Sequence, residues 1–96
     1  METSMIYEQM VIKIIAVQEA IIGPLAIEQA SHVDNLTVDW RNKSVKIAGE
    51  GKVVVEKLIE SYKELFGLSS VEVSKDAVSS LSHLLSQDQI PAMLAT

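Results

Sequence analysis

The sequence predicts a small α+β domain that is mostly helical. The expected order is helix–helix–β-hairpin–helix–helix, with the hairpin packed on the helices. Three observations carry this. Apolar residues recur every three or four positions over residues 6–22, 52–66 and 69–86. The period changes to two over residues 36–47. Glycine, proline and the Asp34-Asn35 dipeptide fall where those periods change. The 96 residues are expected to form one domain. Residues 1–33 make its helical N-terminal part, 34–51 the hairpin, 52–86 two helices and 87–96 a tail.

The first helix can be capped by Thr3 or Ser4, whose side-chain oxygen would accept from an unpaired N–H. Ile6, Met10, Ile14, Val17 and Ile21 then step by four, four, three and four, as one helical stripe does. Ile12, Ile15 and Ile22 lie off that stripe. A helix this widely apolar is central in its own core or shared with a partner chain. Gly23-Pro24 ends it, since glycine accepts the left-handed conformation and proline suits the first position of a new helix. A short second helix is expected from Pro24 to His32, burying Leu25, Ile27 and Ala30.

Asp34-Asn35 is turn chemistry. Leu36, Val38 and Trp40 alternate with Thr37 and Asp39, and Val45 and Ile47 flank Lys46. The pattern reads as a hairpin. One register places Trp40 opposite Val45, Val38 opposite Ile47 and Asp39 opposite Lys46, so that apolar pairs share a face and opposite charges share the other.

Gly49-Glu50-Gly51 closes the hairpin. A third helix is expected from Lys52 to Phe66, with Val55, Leu58, Ile59, Tyr62, Leu65 and Phe66 on its apolar face and Gly67 past its end. Ser69 and Glu72 match a capping box, with Leu68 and Val73 as its hydrophobic staple. Val71, Val78, Leu81 and Leu85 continue the stripe of a fourth helix, and its serines supply the small polar face. The alternation Ser70-Val71-Glu72-Val73 also suits a short strand, and periodicity leaves the two open. The apolar tail segment from Ile90 to Leu94 must dock somewhere or stay mobile.

Composition excludes more functions than it supports. The chain is 48% hydrophobic, too apolar for an acidic disordered segment. Eight Lys+Arg stand against 13 Asp+Glu, a formal net charge of -5. The densest basic group, Arg41, Lys43 and Lys46, surrounds a turn, so no nucleic acid partner is expected. There is no cysteine, which removes disulfides, thiolate catalysis and Cys-based zinc sites. Glu2 and Glu8 stand where a signal peptide would be basic. The run Met10–Ile22 is interrupted by Lys13, Gln18 and Glu19, so no membrane span is expected, and the cytoplasm is the default location.

No catalytic, metal or cofactor site is expected. Gly49-Glu50-Gly51-Lys52 lacks P-loop spacing, and Glu50 sits where a phosphate would. His32 and His83 are distant and have no acidic partner at ligand spacing. Trp40 is either an interface anchor or a cap on the hairpin's core face. Taken together, these features point to a small non-catalytic interaction or regulatory module acting as a homodimer. Its partner would be a second copy or another protein. The expected interaction surface is Ile12, Ile15, Ile22 and Trp40, unless the tail folds back to cover the first helix within one chain. The alternative is a small-molecule-binding domain or minor enzyme using the carboxylate row Glu56, Glu60 and Glu64.

Overall fold

Helix α1 (Thr3–Ile22) forms the centre of the molecule and packs against every other major layer. Residues 3–94 are described here by a computed structural model. Met1, Glu2, Ala95 and Thr96, at the outer ends of the expected helical part and tail, lie outside them. The order is α1, α2 (Leu25–Ser31), β1 (Leu36–Asp39), β2 (Ser44–Ile47), α3 (Gly51–Phe66) and α4 (Leu68–Ser82). Single 3-10 turns follow at Gln87–Gln89 and Ala92–Leu94. The α+β architecture is that expected, four helices and a two-stranded antiparallel hairpin packed against α1 and α2.

The inner face of α1 is wider than one stripe. Ile6, Met10 and Ile14 form one buried column, and Tyr7, Val11, Ile15 and Gln18 form a second beside it. Both columns are covered from within the chain, because α2, α3, α4 and β2 all pack against α1. Val17 is half-buried and Ile21 is 60% exposed, so the single stripe read from spacing drifts out of the core. Gly23 adopts φ +73 and its N–H closes α1 on the Glu19 carbonyl at 2.8 Å. Pro24 then caps α2. This short helix buries Ala26 and Ala30, leaves Ile27 half-buried and Leu25 exposed. Two small residues let it lie close to α3, and the Tyr62 hydroxyl donates to the Ala26 carbonyl at 2.6 Å.

The hairpin forms, but in another register. Leu36 pairs with Ile47, Thr37 with Lys46, Val38 with Val45 and Asp39 with Ser44. Trp40–Asn42 coils into a 3-10 turn instead of extending β1, and Lys43 takes the left-handed conformation before β2 begins. The Asp39 carboxylate accepts from Asn42 Nδ2 at 2.7 Å, so it serves the turn and does not face Lys46. The pairing has moved by two residues. Side chains alternate with period two, so the same face stays apolar despite the shift.

Helix α4 is helical over 70–74, with no strand there. It starts at Leu68, two residues earlier than the capping box implied. Gly67, at φ +82, ends α3 and leads directly into α4. Ser69 is therefore inside the first turn, exposed, and caps nothing. Leu68 is 70% exposed, so it forms no staple. The serines are not all on the outer face either. Ser70 and Ser74 are buried, and Gln18 Nε2 donates to the Ser70 carbonyl at 3.1 Å and to Ser74 Oγ at 3.2 Å. Their small size lets α4 approach α1, and the Gln18 bonds satisfy polar atoms that burial would otherwise leave unpaired.

Residues 86–94 fold back as a strap across α3 and the start of α1. A capping box does exist, at Ser86 and Gln89. The Tyr7 hydroxyl donates to the Gln89 carbonyl, Lys52 Nζ donates to the Asp88 carbonyl at 2.8 Å, and the Ala92 N–H donates to Glu56 Oε1. Pro91 is fully buried, while Ile90, Met93 and Leu94 pack on the core.

Candidate functional site

The four residues expected to form an interaction surface do not lie together. Ile15 is 0% exposed and belongs to the chain's own core, which corrects its placement on a second, outward face. Ile12 and Ile22 are half-buried and pack against that core. Trp40 is half-buried and faces back onto α1. Its Nε1 donates to Glu19 Oε1 at 3.1 Å, and Lys43 Nζ lies 4.0 Å from the ring centroid and 3.8 Å from the same Glu19 oxygen. The hairpin turn is thereby fastened to α1 by a hydrogen bond and an ion pair to Glu19, while the cation–π contact holds Lys43 and Trp40 together within the turn.

The carboxylate row also resolves into separate roles. Glu56 is half-buried and holds the strap, whereas Glu60 and Glu64 are exposed. His32 and His83 are both exposed. Among the described residues, no three His, Cys, Asp or Glu side chains are placed to hold a metal ion, and no helix is long and apolar enough to cross a membrane.

A polar concavity of about 260 Å³ opens between the start of α3 and the strap, lined by Thr3, Tyr7, Glu50, Gly51, Lys52, Asp88 and Gln89. Its polar groups already act on the strap, through the Tyr7 and Lys52 bonds. Gly51 is required there by space, since a Cβ would run into the Tyr7 ring. Burial raises the Tyr7 pKa, and the negative charges of Glu50 and Asp88 add to the effect. The Ser86 hydroxyl donates to Asp88 Oδ1 at 2.6 Å and, with a backbone hydrogen bond and nearby Lys52, lowers the Asp88 pKa.

The strongest surface feature is apolar. Ile21 is 60%, Leu25 44%, Leu65 52% and Leu68 70% exposed. All four lie at one end of the helical layer. Gln18 binds Ser70 and Ser74, which sets the end of α1 beside the start of α4. The Tyr62–Ala26 bond sets the start of α2 beside the last turns of α3. The four residues lie within one turn of those contacts, so the fold brings them to the same end. Beside them runs a groove of about 330 Å³ lined by Lys63, Leu68, Val71, Glu72, Ala92 and Met93. None of these groove residues was singled out from sequence as a surface site. The signal was present only as apolar residues flanking Gly23-Pro24 and Gly67, where one helix ends and the next begins. Comparison with known protein families, with curated proteins and with solved structures found no match to this chain.

Proposed function

We propose that this chain is a small non-catalytic interaction module that acts as a homodimer, docking through the apolar end of its helical layer. The observation that carries the reading is the exposure of Ile21, Leu25, Leu65 and Leu68 at the ends of α1 and α3 and the starts of α2 and α4. Four aliphatic side chains about half exposed amount to about 400 Å² of surface, within the size range of the largest apolar patch on an ordinary monomer, which is often functional. Paired across a two-fold axis, that becomes about 800 Å² of apolar contact. Interfaces are roughly 60% apolar, so the whole contact would bury about 1,300 Å². That is the low end for a specific complex.

Sedimentation equilibrium across the micromolar range tests the proposal. The expected result is an average mass rising with concentration from 10.5 kDa towards twice that value. Leu65→Glu with Leu68→Glu should hold the chain as a monomer without unfolding it, because both residues are exposed. A constant monomer mass for the unaltered chain would overturn the reading. Dimerisation lost with Ile12→Glu but kept in the leucine variant would return the interface to the outer side of α1.

A further inference from the structure

We infer that the groove between α3, α4 and the C-terminal strap is where the second copy docks, with Leu68 of each copy entering the groove of the other and Lys63 of each facing Glu72 of the other. The inference rests on the homodimer reading and assigns it a geometry.

The groove has the parts that such a contact needs. Val71 is buried at its base, Ala92 and Met93 form the strap-side wall, and Lys63 and Glu72 stand exposed along it on α3 and α4. Its volume of about 330 Å³ leaves room for an aliphatic side chain. Leu68 lines the same groove with 70% of its surface in water, so hole and knob belong to one patch. A two-fold contact needs this self-complementarity, because the same surface must serve as both halves of the interface.

Charge supports a second copy over an unrelated partner. One positive and one negative residue line the groove, from different helices. A two-fold axis that crosses the line between Lys63 and Glu72 exchanges the copies and sets each lysine against the other copy's glutamate. Two opposite-charge pairs form at once, and no like charges are forced together. A strongly basic or strongly acidic partner would satisfy one of these residues and oppose the other.

The strap is part of the surface. Ala92 and Met93 stay in place because the Ala92 N–H donates to Glu56 and Pro91 is buried. The docking groove is therefore complete only with the strap closed.

The test is a charge exchange in the full chain, read by sedimentation equilibrium at low salt, where rim charges act most strongly. Lys63→Glu sets glutamate against glutamate twice per dimer, and Glu72→Lys sets lysine against lysine twice. Each should weaken association about tenfold, and the double variant should return it to within about threefold of the unaltered chain. Leu68→Asp should abolish association. All three positions are exposed, so an unchanged far-ultraviolet circular dichroism spectrum and a melt that stays cooperative are the controls for folding. If both single charge variants associate like the unaltered chain, or if the double variant stays weak, the groove geometry is overturned while a homodimer through the rest of the apolar end survives. If the unaltered chain is monomeric at every concentration, the homodimer reading falls and the groove geometry falls with it.

Discussion

Removing one oxygen atom, with Tyr62→Phe, tests how the short helix α2 is held. Tyr62 is fully buried, and its hydroxyl donates to the Ala26 carbonyl at 2.6 Å. Phenylalanine keeps the ring and its packing. The Ala26 carbonyl still has its own helical partner four residues on, so the loss is that of one net hydrogen bond, about 1–1.5 kcal/mol. For a domain of this size, that lowers the melting temperature by roughly 4–12 °C. A second effect depends on pH. Burial raises the Tyr62 pKa well above the usual 10.0. A group whose folded pKa is raised contributes stability that is whole below its unfolded pKa and declines as pH climbs towards the folded value. Above pH 10 the native chain therefore loses a contribution that the Phe variant never had, and the gap between them should narrow. Tyr7 is present in both chains and cancels in the comparison. Urea midpoints followed by far-ultraviolet circular dichroism, at neutral pH and then stepwise above pH 10, measure both effects. Equal midpoints at neutral pH would refute the buried bond. A gap that stays constant into the alkaline range would refute the assignment of the titration to Tyr62.

Gly51→Ala should destabilise by about 1–3 kcal/mol, because its methyl group meets the Tyr7 ring, and the cost should shrink in a Tyr7→Ala background where the ring is absent. Ser69→Ala should leave the denaturation midpoint within about 0.5 kcal/mol of the original, since this serine caps nothing. Ser86→Ala removes the side chain of the capping box actually present, so hydrogen exchange should quicken at the amides of residues 86–94 while the global melt changes little. Trp40→Phe removes the indole donor to Glu19 at the cost of about one net hydrogen bond, and exchange at the hairpin amides should report it before the helices do.

Much of the chain was legible because its signals are local. Gly23-Pro24 marked the break between α1 and α2, Gly67 marked the end of α3, and the change of period marked the hairpin. Backbone conformations available only at low cost to glycine, and side-chain periods of 3.6 and 2, act over a few residues and need no tertiary partner. The parity of the hairpin survived for the same reason, although its register did not. Which residues become the turn depends on the Asp39–Asn42 bond and on Trp40 reaching Glu19 on a distant helix. The α4 start was misplaced because a capping box is only a local pattern, and Gly67 lets the helix begin before it.

The amount of apolar surface was set by the sequence alone, but its allocation was decided by the tertiary fold. Spacing showed that α1 had more apolar surface than one stripe. It could not show that Ile15 would be covered by the chain's own elements while Ile21 stayed in water. Nor could it show that Ser70 and Ser74, polar by composition, would be buried against Gln18. The apolar end and its groove draw residues from α1, α2, α3, α4 and the strap, which are up to about seventy positions apart in the chain. Hydrophobic burial is non-directional, so periodicity tells how much area seeks cover, and only the packing of whole elements determines which side chains find it.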